Sequence, residues 1–305
     1  MTGYAVVFPG QGSQFAGMAD PWTGHPAAQA ILEEASDAMG RDVVAGCRDD
    51  AALATTEFVQ PALLAVGLAG FAALEAEGMP TPVGAAGHSL GEFAALVAAR
   101  VLTLAEALDV VVVRGAAMQR AGEERPGTMA ALLGVGAEDA ETLCDEARGD
   151  DVLLVANLNS PVQVVISGSL AAVARAEALA KERKVRAVRL SVAGAFHSPL
   201  MEPAVAAIDE RLGALSFRAP RFPVAENVAG ALVDDPEELR ALLRRHVVSP
   251  VRWEACARAL AAAGANVLLE PGAGDVLTKL QKRIDPDVRA AAVGSPEAAQ
   301  AALTG

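Results

Sequence analysis

Residues 84–99 read Gly-Ala-Ala-Gly-His-Ser-Leu-Gly-Glu-Phe-Ala-Ala-Leu-Val-Ala-Ala, which sets Ser89 in a Gly-x-Ser-x-Gly turn between a short apolar strand and an apolar helix. Gly87 and Gly91 carry no Cβ to clash where a chain turns sharply, so the Ser89 hydroxyl projects from the bend as a candidate nucleophile. The N–H groups of the opening helical turn are then free to receive an oxyanion. A serine nucleophile needs a base, and the chain has four histidines: His25, His88, His197 and His246. His88 adjoins Ser89 where neighbouring side chains diverge, and His25 lies in a polar loop. His197 sits in Val192-Ala193-Gly194-Ala195-Phe196-His197-Ser198-Pro199, where the chain returns from what reads as an inserted unit. It is the expected base, with a loop histidine satisfied by its own hydrogen bonds as the alternative. No Asp or Glu stands out as a third member. A backbone carbonyl can hold an imidazole by its Nδ1–H, so a dyad suffices.

Arg114 lies in Leu108-Asp109-Val110-Val111-Val112-Val113-Arg114-Gly115-Ala116-Ala117-Met118. If that segment is helical, its neighbours three and four residues away are Val110, Val111, Ala117 and Met118, and none can pair with a guanidinium. Two partners are open to it: a carboxylate elsewhere in the fold, or one on a substrate held in a two-pronged grip. The Gly-rich loop Phe8-Pro9-Gly10-Gln11-Gly12-Ser13-Gln14 has neither nucleotide-loop spacing. It could instead bring backbone N–H groups, that of Gln11 among them, to the carbonyl attacked by Ser89.

The elements that must position these groups read as α/β. Strands are expected at Tyr4–Phe8 and Val83–Ala86, with helices at Ala27–Met39, Gln60–Glu77, Glu92–Arg100 and Leu104–Ala121. From Gly127 the order becomes strand (Thr128–Val135), helix (Ala137–Arg148), strand (Val152–Asn157), strand (Val162–Ser167), helix (Leu170–Arg183), strand (Val185–Val192). That is the ferredoxin-like unit, with Glu123–Gly127 as a hinge into it. Beyond Val192 strands are expected near Arg221–Ala225 and Asn266–Glu270, and helices near Ala204–Leu212, Pro236–His246 and Trp253–Gly264. The expected fold is a hydrolase-like parallel-sheet α/β domain, residues 1–125 and 193–305, with a ferredoxin-like α+β subdomain inserted at residues 126–192. A cleft between the two is the expected substrate site.

At 305 residues the chain can bury a full core. Its longest uncharged apolar run, Ala62 to Leu74, is 13 residues, too short for a bilayer span. Met1 leads directly into strand-like sequence without the basic start of a signal peptide, and Cys47, Cys144 and Cys256 lack disulfide or zinc spacing. A cytoplasmic, metal-free protein is expected. The net charge of −13 argues against nucleic acid and against an anionic membrane as partners. Locally, Arg175 to Arg189 holds six basic residues against two acidic ones, a net +4. This is either a solvated helix face or a landing patch for an acidic partner.

Taken together, Pro9-Gly10-Gln11-Gly12-Ser13-Gln14, Gln60-Pro61-Ala62, Gly87-His88-Ser89-Leu90-Gly91-Glu92, Arg114-Gly115, Gly194-Ala195-Phe196-His197 and Pro250-Val251-Arg252-Trp253 resemble the malonyl-CoA:acyl carrier protein transacylases from about Val6 to Arg283. The resemblance implies ping-pong acyl transfer. Ser89 is deprotonated by His197 and attacks malonyl-CoA, the N–H groups of Gln11 and Leu90 hold the oxyanion, and the phosphopantetheine thiol of an acyl carrier protein takes the malonyl group. It assigns Arg114 to the free carboxylate of the substrate. Gln60, His88, Met118 and Phe196 would line the pocket, Phe196 as the bulky residue of malonyl-selective members. Both thioesters are substrates, so no cofactor is implied, and a monomer is expected.

Two positions depart from the family pattern. His246 stands where many relatives have a glutamine whose main-chain carbonyl orients the catalytic imidazole, and Glu226-Asn227 where relatives often have Ser-Asn or Asn-Asn. Because carrier proteins of the family are typically acidic, Arg183, Lys184 and Arg186 become the expected docking residues. Loading of a modular polyketide synthase is the near alternative; thioester editing by hydrolysis is the distant one, and Arg114 speaks against it because an editing enzyme favours an apolar pocket.

Overall fold

The computed structural model describes residues 3–304 of the chain. Ten strands follow in order: β1 (Tyr4–Phe8), β2 (Gly84–Gly87), β3 (Gly127–Leu133), β4 (Leu153–Ser160), β5 (Gln163–Ser169), β6 (Arg186–Arg189), β7 (Val224–Glu226), β8 (Ala231–Val233), β9 (Val267–Pro271) and β10 (Arg289–Val293). The larger sheet has the order β10-β9-β1-β2-β7-β8, parallel except for β8 at its edge. Both of its faces are covered, which is why its central strands are apolar without alternation. Val6, Phe8, Ala85 and Leu269 pack on the helices Pro26–Met39, Thr56–Ala76 and Leu104–Glu124; Ala5, Val7, Ala86 and Leu268 face Trp253–Ala262 and Val276–Ile284.

The smaller sheet is antiparallel in the order β4-β5-β3-β6, the strand order of a ferredoxin-like unit. Ala130, Leu132, Val164 and Ile166 bury one face against the helices Ala137–Arg148 and Leu170–Glu182. The opposite face, with Met129, Ala131 and Val165, looks into the cleft. β6 ends at Arg189, earlier than its sequence implied. After the Leu190 N–H bonds Met129 O at 2.9 Å, the chain leaves the sheet, and Val192, Phe196 and His197 line the cleft instead.

Two helices carry the polar groups inward. Leu104–Glu124 starts with a capping box, Thr103 Oγ1 accepting from Glu106 N while Glu106 Oε2 accepts from Thr103 N. Thr56–Ala76 is a 21-residue helix, long and apolar enough by composition to cross a membrane, although the apolar run within it is shorter; 89% of its most apolar window is buried inside the protein. The two helices meet at Gly115, where a Cβ would lie 2.8 Å from Thr56 O. That close approach brings Gln60 of one helix to Arg114 of the other. The strands β8 and β10 and the helices Val276–Ile284 and Pro296–Thr304 add to the expected elements.

The smaller sheet is tied beside the cleft to the segment that leads into the helix Trp253–Ala262. Asn157 of β4 bridges to Val251, with Leu158 N donating to Val251 O at 2.9 Å and Val251 N to Ala156 O at 2.8 Å.

Candidate active site

Ser89 stands at the carboxyl ends of β1 and β2, the edge of a parallel sheet where ligand sites form. Its φ of 49° is left-handed, a conformation that a non-glycine residue holds only when its surroundings enforce it. Here they do. A Cβ on Gly87 would fall 1.8 Å from the Gly91 carbonyl carbon, and one on Gly91 would fall 2.1 Å from Phe8 O, so the turn closes only with glycine at both places. Asn227 clamps it from the side: its Oδ1 accepts from Ser89 N at 2.8 Å and its Nδ2 donates to Gly87 O at 2.7 Å.

His197 Nε2 lies 2.8 Å from Ser89 Oγ. Its Nδ1 faces two backbone carbonyls, His246 O at 3.0 Å and Ser249 O at 3.1 Å, which can only accept. The partners therefore place the proton on Nδ1 and leave Nε2 as an acceptor for the serine proton. Burial, aided by the charge of Arg114, pushes the His197 pKa down to about 3, so the imidazole is neutral at physiological pH. The backbone at position 246 thus holds the imidazole, and Ser249 O holds it too, a contact that sequence reasoning missed.

Arg114 is 1% exposed. Its Nη1 donates to Gln60 Oε1 and its Nη2 to Ser89 Oγ at 3.1 Å; Nε has no protein partner. Among the described residues no carboxylate lies within ion-pair distance of it. Burial lowers its pKa to about 10, which still leaves it cationic. A buried guanidinium met by neutral groups is a receptor for an anion.

These groups open on one cavity of about 220 Å³ between the sheets. Gln11, Gln60, His88, Leu90, Met118 and Phe196, all expected at the site, line it together with Ser89, Arg114 and His197. Among the described residues neither Gln11 N nor Leu90 N has a protein acceptor, as an oxyanion site requires. His88 turns away from the serine and meets Asn159 Oδ1 at 2.8 Å; burial lowers its pKa. His25 caps the helix Pro26–Met39, far in role from catalysis.

Arg183, Lys184 and Arg186 are not part of this cavity; they surround shallow surface depressions next to β6. The stretch is less positive than its composition implied, because Arg175 pairs with Asp151 and Arg183 with Glu146, both outside it, while Arg189 pairs with Glu177 within it. Among the described residues Lys181, Lys184 and Arg186 have no such partner, and no cluster of three or more His, Cys, Asp or Glu could hold a metal ion.

Residues 5–298 match the acyl transferase domain. The malonyl CoA-acyl carrier protein transacylase of Escherichia coli strain K12 is 40% identical, over 99% of this chain and 99% of its own. This chain belongs to the malonyl-CoA:acyl carrier protein transacylase family. Among solved structures, the transacylase of Xanthomonas oryzae pv. oryzae superposes with a TM-score of 0.95 at 42% identity, covering 99% of this chain and 98% of that one. A malonyl-transacylase in complex with its type II polyketide acyl carrier protein gives a TM-score of 0.95 at 37% identity, with 99% of both chains covered.

Proposed function

We propose that the chain transfers a malonyl group from malonyl-CoA to the phosphopantetheine thiol of an acyl carrier protein through a malonyl-Ser89 intermediate. The observation that carries this reading is Arg114: a buried guanidinium without a carboxylate, 3.1 Å from the nucleophilic oxygen. A substrate carboxylate supplies its missing counter-charge. An acetyl group cannot, and leaving a buried charge unpaired costs about 3–5 kcal/mol.

Ser89 Oγ attacks the thioester carbonyl as its proton passes to His197 Nε2, and the oxyanion forms against Gln11 N and Leu90 N. Collapse of the tetrahedral intermediate breaks the C–S bond, and the proton on Nε2 leaves with the coenzyme A sulfur. In the second half the carrier thiol gives its proton to His197 Nε2, attacks the acyl-serine carbonyl, and Ser89 recovers a proton from Nε2. Both halves use the chain's own side chains and no cofactor. The cavity of about 220 Å³ suits a small acyl unit with its carrier arm running out through the mouth. Phe196, 6% exposed and in the cavity wall, limits space for an α-methyl group.

The docking reading for Arg183, Lys184 and Arg186 draws support from continuity: β6 leads from Arg186 directly to Leu190 and Val192 in the cavity wall. Every proposed catalytic group comes from one chain, so we read the working unit as a monomer. Three buried, unpaired cysteines suit the reducing cytoplasm. The related complex with a type II polyketide carrier favours a polyketide carrier as a second destination for the same chemistry.

The test is intact mass after exposure to malonyl-, methylmalonyl- and acetyl-CoA. A malonyl adduct on Ser89 is expected to dominate. Preferential acetyl loading by the unmodified protein would contradict the role given to Arg114.

A further inference from the structure

His246 is 1% exposed and touches both halves of the reacting pair. Its main-chain carbonyl accepts from His197 Nδ1, and its ring packs on the His197 ring with centroids 5.4 Å apart. Its Nε2 lies 3.3 Å from Asn227 Oδ1, the atom that also meets Ser89 N. The mechanism above uses only the backbone of this residue and leaves its side chain without a task.

The direction of the contact to Asn227 follows from the neighbours. Ser89 N can only donate and Gly87 O can only accept, so the Asn227 amide has one orientation, with Oδ1 toward Ser89 N at 2.8 Å and Nδ2 toward Gly87 O at 2.7 Å. The atom facing His246 is therefore an acceptor. His246 must supply the hydrogen from Nε2, and its Nδ1 has no protein partner to compete for that proton. Burial keeps the ring neutral by lowering its pKa. The backbone of Asn227 is anchored separately, its N donating to Glu92 Oε2 at 2.9 Å. His246 thus adds a second donor to the oxygen that holds Ser89 N.

We propose that the His246 side chain is a positioning residue that locks the Asn227 amide and, through it, the turn presenting Ser89, so that one residue sets the base by its backbone and the nucleophile by its ring. The inference rests on Ser89 being the nucleophile. Such a brace has work to do, because Ser89 holds a φ of 49°, a strained conformation that persists only under constraint. Rotation of the Asn227 amide gives up both hydrogen bonds to the turn at once, and the 2.8 Å contact of Ser89 Oγ with His197 Nε2 goes with them. Misplacing a reacting atom by about 1 Å can cost about a hundredfold in rate.

Three substitutions separate the ring from its N–H. Phenylalanine keeps an aromatic ring with no donor; glutamine puts an amide N–H where histidine has Nε2, and asparagine puts one where histidine has Nδ1. The experiment measures single-turnover malonylation of Ser89 by intact mass in wild type, His246→Phe, His246→Gln and His246→Asn, with His246→Phe also made in an Asn227→Ala background. His246→Phe and His246→Asn should each slow acyl-enzyme formation by about tenfold to a hundredfold, with half-saturating malonyl-CoA changed by no more than about twofold. His246→Gln should recover the rate to within about threefold of wild type. In the Asn227→Ala protein, itself slowed, adding His246→Phe should cost no more than about twofold, because the amide it acts through is gone. A packing role gives the reverse order, with phenylalanine tolerated and the two amides equally poor. That order, or an undiminished loss when His246→Phe is added to Asn227→Ala, overturns the proposal. Should His246→Phe fail to fold, equal rates for His246→Gln and His246→Asn overturn it. Failure of the wild-type protein to load malonate on Ser89 in the same assay would instead overturn the function on which it rests.

Discussion

Arg114 and the arginines of the 175–189 stretch are held in opposite ways. Arg175, Arg183 and Arg189 lie at the surface, each against a carboxylate of the helices beside the smaller sheet or the turn leading into β4. Arg114 is buried at the cavity wall and hydrogen-bonds only an amide and a hydroxyl. An exposed ion pair is worth about 0–1 kcal/mol and exchanges readily with water or another charge. A buried guanidinium is different, because its desolvation is costly until a counter-charge pairs with it. The same residue type thus forms weak, replaceable ion pairs in one region and, in the other, stands buried where we propose it receives the substrate carboxylate.

The contrast is most exposed at Ser89, the hydroxyl shared by Arg114 and His197. Ser89→Ala should lower covalent labelling at least about a thousandfold, as read by intact mass. Malonyl-CoA should still bind by calorimetry, since the guanidinium remains. Loss of binding along with labelling would mean that Arg114 is not an independent anion receptor. Next in size, Arg114→Ala should slow malonyl loading by about a hundredfold or more and shift competition between malonyl- and acetyl-CoA toward acetyl. An unchanged ratio would break the comparison outright.

The third prediction concerns pH. Burial disfavours the charged imidazole and the nearby charge of Arg114 adds to it, so the His197 pKa lies at about 3. The neutral base is therefore available well below the range of an exposed imidazole. Malonylation by the free enzyme should show no loss from His197 between about pH 7 and about pH 5, where an ordinary histidine would cost roughly tenfold or more. A limb centred near the usual imidazole value in kcat/KM would refute this. The smallest effect belongs to the surface: Lys184→Glu combined with Arg186→Glu should slow transfer to carrier protein by a few-fold, about 3–10, and spare malonyl-Ser89 formation. That difference should shrink as salt rises. Equal loss in both half-reactions would remove the docking assignment.

What could be read in the sequence was what depends on neighbours along the chain. The strand-turn-helix around Ser89 is encoded by Gly87 and Gly91, whose close contacts are with residues of the same turn and the adjoining β1. Arg114 was conspicuous because the helix repeat surrounds it with Val110, Val111, Ala117 and Met118. Ser249 and Asn159 left no such trace, because their roles arise only when β4 bridges to Val251 and the cleft closes around His88 and His197. Asn227 was visible only as half of an unusual dipeptide; its contacts to Ser89 and Gly87 span more than a hundred residues of chain. The helix Val276–Ile284 did carry a readable stripe, Leu277, Leu280 and Ile284, hidden among lysines and an arginine. Surface charge was the least legible, since Glu146 and Asp151 lie outside the basic stretch they neutralise.

The bridge between β4 and Val251 ties the architecture to the chemistry. Val251 is two residues from Ser249, whose carbonyl helps to hold the His197 imidazole, so the tie across the crevice and the support of the proposed base are nearly the same piece of chain. One short stretch of backbone, 249–251, therefore serves both as a tie across the crevice and as a mount for the imidazole.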